Sequence, residues 1–379
     1  MFPQSSDQAL LAETTKKFLE AECPLPKIRE LADSTAGFEP EFWRDGAELG
    51  WTSLVVPKEA GGGSVSEGGV RDLALVAYQF GLHAAPGPLS GTNVVAAALG
   101  RWGTEEQQIG PLGALLRGEA VSAWALAEPA PHGGFGQVGL RATETPHGFR
   151  LDGAKTPGDG GAEAAHVLVV ARHVSGLSQF LLSLPCPGLT IVPLEGLDLT
   201  RRFARLEFDG VQLAASSLVG AAGAAAPDVE WLTDLAVTVQ LGEMCGAMQW
   251  AFDTTVQWAM NRYSFGRPLA SYQEIKHRFA DMKMWLEASF AITAQAAAAI
   301  DSGAPNRSEL VSAGKFFIGR YGVELLQDCV QLHGGIGVTF DHDLHLFLRR
   351  VVCDAALVGT PSEHAARLTD ILEEREAGR

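Results

Sequence analysis

The 379-residue chain has no long apolar run. Its longest apolar stretches, such as Ala291–Ile300, are alanine-rich and well short of the roughly 20 residues that cross a bilayer. A membrane-spanning helix is therefore not expected. A basic excess is also missing: 29 Lys and Arg stand against 45 Asp and Glu, a formal net charge of −16. Such a chain repels nucleic acid, whose binding needs cationic side chains gathered on one face. The segment Met1–Leu11 lacks the basic and apolar stretches of a signal peptide, so the expected location is cytoplasmic. Cysteine is scarce and unpatterned. Cys23, Cys186, Cys245, Cys329 and Cys353 are odd in number and show neither a CxxC pair nor Cys/His ligand spacing, so buried free thiols are expected. No GxSxG elbow is present and no cysteine sits in a nucleophile motif, which leaves hydrolase chemistry without support.

What is present is a globular composition, 46% hydrophobic and 20% charged, long enough for two or three domains. From Asp7 to about Glu119 the apolar spacing is helical, as in Leu10-Thr14-Phe18 and Val70-Leu73-Val76-Ala77, with turns at Gly61-Gly62-Gly63 and Pro86-Gly87-Pro88. Short β-type runs follow: Val167–Val170, Phe180–Leu182, Leu189–Val192 and Leu206–Phe208. After the Ala/Gly-rich segment Gly220–Pro227, helical patterns persist to the end. The expected domains are 1–120 (helical), 121–226 (β) and 227–379 (helical bundle). On the first long C-terminal helix, Leu235, Val239, Gly242 and Gly246 share a face where the two glycines admit a close neighbour. Phe316, Val323, Leu326 and Val330 predict a second buried stripe. Gly334-Gly335 can stop the helix that runs through Gln331. Thr360-Pro361-Ser362-Glu363 reads as a capping box with proline at the first helical position, so the last helix should begin just after Gly359.

Two clusters could hold a ligand. In Arg262-Tyr263-Ser264-Phe265-Gly266-Arg267-Pro268-Leu269, followed by Gln273, an arginine fork could clamp a phosphate and Phe265 offers a flat face to an aromatic ring. From residue types alone this reads first as a solvated turn. Gln331-Leu332-His333-Gly334-Gly335-Ile336-Gly337 offers an amide and bare backbone, although a helix cap would use the same glycines. Its spacing is not GxGxxG and no strand precedes it, so a Rossmann reading fails. His342 and His345 lie beside Asp341 and Asp343, but the HExxH order is absent. Exposed helix-start histidines are expected there rather than a metal site.

The ordered set RxxFGRPL with its downstream Gln, QLHGGIG, and Gly359-Thr360 before a capped helix resembles the acyl-CoA dehydrogenase family. The helical, β, helical layout extends that resemblance over nearly the whole chain. It implies a mainly α fold with a central antiparallel β-barrel domain and a C-terminal four-helix bundle. It also implies FAD as cofactor, an acyl-CoA as substrate and a homologous subunit as partner, in a dimer or α2β2 tetramer. By position, Arg262 and Phe265 would hold the pyrophosphate and adenine side of FAD, Gln331, Gly334 and Gly335 would line the adenosine end, and Thr360 belongs to the same cofactor set. The family reaction removes the α-proton with a carboxylate as hydride leaves the β-carbon for the flavin. Here the family's base position is Val358, and the alternative position is Ala236, beside Val237 where an arginine is usual. Valine cannot accept a proton. Asp234 or Glu243 could serve only in a shifted register. On the flavin side, a usual Thr-Glu-Pro is Ala127-Glu128-Pro129, Gly-Ser-Asp is Gly133-Gly134-Phe135, and Trp-Ile-Thr-Asn-Gly is Thr156-Pro157-Gly158-Asp159-Gly160. The resemblance thus points to a subunit that lends an ADP clamp to a catalytic partner, as in actinobacterial heterotetramers acting on steroid or branched acyl-CoAs. A homomeric enzyme with a relocated base, a scaffold subunit and a flavin monooxygenase of the same fold are the alternatives.

Overall fold

The computed structural model describes residues 5–32, 34, 37–129 and 137–377. Helices come first: α1 (Ser6–Glu22), α2 (Leu25–Ala32), α3 (Pro40–Glu48), α4 (Gly69–Leu82), α5 (Leu89–Trp102) and the short α6 (Glu105–Gln107) and α7 (Gly113–Leu116). Strands follow: β1 (Ser122–Ala125), β2 (Arg141–Thr145), β3 (Gly148–Asp159), β4 (His166–His173), β5 (Gly176–Ser183), β6 (Leu189–Leu194), β7 (Phe203–Ala214) and β8 (Leu218–Val219). Then come α8 (Ala226–Asn261), a small hairpin of β9 (Tyr263–Ser264) and β10 (Arg267–Pro268), α9 (Gln273–Asp301), α10 (Arg307–His333), α11 (Leu344–Ala356) and α12 (Pro361–Ala377). The architecture is mainly α with a central, largely antiparallel sheet. No helix among the described residues is long and apolar enough to cross a membrane. In space the chain divides into two compact units. One comprises residues up to Arg29, Ala74–Ala85 and Val237 onward; the other comprises Glu30–Leu73 and Pro86–Ala236.

In the second unit the strands run in the order β6-β7-β3-β2-β4-β5-β8, with β1 added parallel to β4. Two-residue turns pair Thr145 with Gly148 and His173 with Gly176, which fixes the register of both hairpins. Alternate residues then line one face: Val167, Val169, Phe180, Leu182, Leu206 and Phe208 pack into a single core. Pro193 cannot donate to a ladder, and it sits on β6, the edge strand, where that costs least.

In the first unit, α10 packs against α9, α11 and α12. The glycines of α8 work as the sequence implies. A Cβ at Gly246 would lie 2.0 Å from the Tyr78 carbonyl oxygen of α4, and one at Gly242 would lie 2.8 Å from that of Ala74. From the other side, a Cβ at Gly81 would meet the Glu243 carbonyl oxygen at 1.8 Å. Gly334, at φ +66°, stops α10, and Thr360 and Glu363 form the capping box of α12. Two stripes are rotated from their expected positions by one residue. In α1 the buried set is Leu11, Thr15 and Leu19, while Leu10 is 67% exposed. In α10 it is Val311, Ile318, Leu325 and Cys329; Leu326 is also buried, but Phe316 is 37% exposed. In both helices the buried face includes polar or small residues, Thr15 in α1 and Lys315 and Gly322 in α10, so the spacing of the apolar side chains alone leaves the inward direction ambiguous by one position. All five cysteines are free: Cys23, Cys245 and Cys329 are buried, whereas Cys186 and Cys353 are half-buried. Burial pushes the Cys245 and Cys329 thiols up to about 12.

Candidate functional site

The segment after α8 is a tight hairpin. Phe265 and Gly266, at φ +51° and +83°, are its two central residues, the type I′ geometry that matches the twist of the flanking strands. The Tyr272 hydroxyl donates to the Ser264 carbonyl at 2.8 Å, and the Arg267 guanidinium lies 3.8 Å from the Tyr272 ring centre. The hairpin is therefore held from its base. At its tip, Phe265 is 97% exposed, with no cover from its own chain. Burying such a ring elsewhere would stabilise by about 1.5–3 kcal/mol.

The end of α10 lies next to the hairpin's root. The His333 ring stacks on Trp258 of α8 (5.1 Å between centres, 22° between planes), and the Arg262 guanidinium lies 5.8 Å from the same Trp258 ring. Trp258 thus brings together the two motifs that the sequence places about 70 residues apart. His333 Nδ1–H donates to the Cys329 carbonyl at 2.8 Å, and burial holds its pKa below the usual histidine range. Arg262, Gln331, Gly334 and Gly335 are all exposed around this stack. A Cβ at Gly334 or Gly335 would meet nothing within 4 Å. Gly334 needs its glycine for a positive φ, but at Gly335 neither backbone conformation nor packing within this chain demands one. A body from outside the chain that approaches the backbone closely would demand it. The exposed arginine fork, the amide and the bare backbone fit the phosphate and adenosine portions of a dinucleotide.

Val358 lies beyond α11 at φ +55°. Lys315, fully buried, donates to Gln240 Oε1 at 2.6 Å, to the Leu357 carbonyl at 2.7 Å and to the Asp354 carbonyl. His364 Nε2 donates to the Val358 carbonyl at 2.9 Å. The Thr360 hydroxyl bonds to Glu363 Oε2 at 2.8 Å and accepts the Glu363 N–H, so it serves as a helix cap. Ala236 is buried, and so are Asp234 and Glu243. The Glu243 carboxylate is ion-paired with Arg350 at 3.2 Å, and Arg350 also donates to the Ala85 carbonyl at 2.9 Å.

In the second unit, Thr156 N–H donates to the Ala127 carbonyl at 2.9 Å, which sets side by side two segments that the resemblance assigns to the flavin side. The buried Lys155 ammonium binds the Leu126 carbonyl at 2.9 Å and Glu128 Oε1 at 2.7 Å. Gly139 N–H and Leu140 N–H complete the Glu128 carboxylate at 2.7 and 2.9 Å. Burial lowers the Lys155 pKa to about 8 against the pull of Glu128. Burial would raise Glu128, but Lys155 and the two N–H donors outweigh it and hold the carboxyl below its ordinary range. This ion pair went unread in the sequence. Lys315 went unread too, although its place between Val311 and Ile318 on an apolar stripe is a legible signal. His342 and His345 flank Asp343 at the start of α11 as expected, but they are half-buried rather than exposed, packed against His333 and Phe340 respectively. The Gly133-Gly134-Phe135 segment lies outside the described residues.

Residues 5–119 match the acyl-CoA dehydrogenase N-terminal domain, and residues 238–369 match the acyl-CoA dehydrogenase C-terminal domain. The chain belongs to the acyl-CoA dehydrogenase family. Among its relatives, acyl-CoA dehydrogenase IpdE2 of Mycolicibacterium smegmatis is 28% identical over 365 residues, covering 96% of this chain and 98% of the relative. Acyl-CoA dehydrogenase FadE27 of Mycobacterium tuberculosis is 28% identical, covering 91% of each. Among solved structures, the ChsE4-ChsE5 complex from Mycobacterium tuberculosis contains a chain that superposes with a TM-score of 0.90 at 26% identity, covering 99% of both chains. Oxidoreduction at a CH–CH bond is the family's chemistry.

Proposed function

We propose that this chain is one subunit of a heteromeric, FAD-dependent acyl-CoA dehydrogenase, contributing the ADP-clamp half of a shared cofactor site to a partner that supplies the flavin pocket and the base. The observation that carries this reading is the split between what the two regions offer. Around Trp258, Arg262, Gln331 and the bare Gly335 backbone stand open to an external ligand. At positions 358 and 236 a valine and an alanine stand where the family places its carboxylate, and Asp234 and Glu243, the acids closest in sequence to position 236, are buried. Glu243 is already spent on Arg350, so a relocated base finds no support. At the flavin side, residue 127 has no hydroxyl, and residue 157 is a proline.

Bound FAD would supply the hydride acceptor. This chain's own residues would hold its phosphates through Arg262, cover its adenine side with Phe265 and admit its adenosine end at Gly334 and Gly335. The exposed tip of Phe265 favours the same arrangement, because a partner and its ligand would bury it. The relatives in two-component assemblies point to the same organisation, including the ChsE4-ChsE5 complex and the Tcur3481-Tcur3483 steroid ACAD, the latter at 27% identity and a TM-score of 0.87. A steroid or other bulky acyl-CoA is the proposed substrate class.

The test compares the isolated chain with a complex co-purified with a catalytic homologue. Alone, the chain should retain little flavin and show no loss of flavin absorbance when acyl-CoAs are added anaerobically. The complex should carry half as many flavins as chains and bleach on addition of substrate. Stoichiometric bleaching by the isolated chain would overturn the proposal and return attention to Asp234 and Glu243.

A further inference from the structure

We propose that a cleft between α1, the C-terminal end of α4 and the middle of α8 binds a small amphipathic amine, a cationic head joined to a compact apolar body. The cleft encloses about 400 Å³, within the range of small-molecule sites. Neither the clamp residues nor Val358 line it, so it is separate from the site described above.

Its apolar wall is formed by Leu25, Leu82 and Trp250. The Trp250 ring stacks on Phe347 with centres 3.8 Å apart and planes 9° apart, which fixes the indole as a rigid wall. Its polar residues are Lys16, Glu20, His83, Asp253 and Thr254. His83 Nδ1 lies 2.8 Å from the Gln79 carbonyl, and a carbonyl only accepts, so the ring proton is on Nδ1 and Nε2 keeps its lone pair. Burial lowers the His83 pKa, so the ring is neutral near pH 7. Glu20 shares its charge with Lys16 at 3.8 Å. Asp253 receives a hydrogen bond at 2.7 Å from the Gln249 amide, a neutral donor that does not cancel its charge. An incoming ammonium finds the Asp253 carboxylate and an imidazole lone pair, with the one positive charge of the lining, Lys16, set against the two negative charges of Glu20 and Asp253; an incoming carboxylate finds this net negative charge. The aliphatic or aromatic remainder of the ligand would lie against the indole.

The test uses the full-length chain at pH 7.5 with n-hexylamine as probe and 1-hexanol and hexanoate as matched controls, read by calorimetry and tryptophan fluorescence. Hexylamine should bind saturably, hexanol more weakly and hexanoate not at all. Asp253→Asn, a surface change that leaves the fold intact, should weaken hexylamine about tenfold, as loss of one charged hydrogen bond implies. It should leave hexanol unaffected. His83→Phe should weaken hexylamine while keeping the ring volume, and Trp250→Phe should abolish the fluorescence response. Absence of saturable hexylamine binding, equal binding of hexanoate, or an unchanged affinity in Asp253→Asn would each overturn the assignment.

Discussion

Val358 is held in a left-handed backbone conformation that costs an L-residue about 1–2 kcal/mol, and a β-branched side chain suits it poorly. The conformation survives because its surroundings over-determine it: Lys315 ties down the carbonyls of Asp354 and Leu357, and His364 ties down that of Val358. His364 accomplishes this as a neutral ring. Burial pushes its pKa from 6.5 down to about 4; the Val358 carbonyl resists the shift, and the Lys315 charge reinforces it. Between those values the unfolded chain binds a proton that the folded chain refuses. The associated stability is therefore complete above pH 6.5 and is lost as pH falls toward 4, by at most about 3 kcal/mol. Urea unfolding at a series of pH values should show this acid limb. In His364→Gln, whose amide can still donate to Val358, the limb should be shallower by that amount; an unchanged slope would show that His364 titrates normally.

The α4/α8 crossing is the clearest case of an element specified by its residues. Alanine in place of a mid-helix glycine usually stabilises by about 1 kcal/mol. At Gly246 the new Cβ would sit 2.0 Å from a backbone carbonyl that no rotamer change can move. Overpacking of about 1–3 kcal/mol or more should win, and Gly246→Ala should lower the unfolding midpoint of the full chain. A raised midpoint would mean that the helices separate more easily than this contact allows. The same glycine pair was legible in the sequence because small residues at i and i+4 have one common use. The stop of α10 at Gly334 and the start of α12 just after Gly359 were legible for a similar reason: local backbone chemistry determines them. The four β runs were legible as strands. Their order across the sheet and the parallel pairing of β1 with β4 were not, since those depend on contacts between residues far apart in sequence. The inward faces of α1 and α10 fell between these cases. Helical period was plain, but direction depends on which neighbour each helix meets.

For the whole molecule, the proposed division of labour makes a demand that folding does not. Residues that serve the fold and residues that serve a partner's cofactor should separate in their effects. Gly335 is the sharpest probe. Its φ is not in the left-handed region and an added methyl would meet nothing within 4 Å, so Gly335→Ala should leave the melting temperature of the isolated chain unchanged. If the bare backbone there exists to let an adenosine end approach, that methyl should stand in the ligand's way. Flavin retained by the purified complex should fall, with a loss of about 1–3 kcal/mol in binding, roughly five- to 150-fold. Arg262→Ala should act in the same direction by removing a charged hydrogen-bond donor. Because both residues are exposed in this chain, neither change has a folding penalty through which flavin could be lost indirectly. The matching experiment in the partner, at its own equivalents of Arg262 and Gly335, should leave that flavin in place, because in the proposed pairing the occupied pocket is gripped from this chain alone. Full flavin content in a Gly335→Ala complex would show that the clamp has been assigned to the wrong subunit.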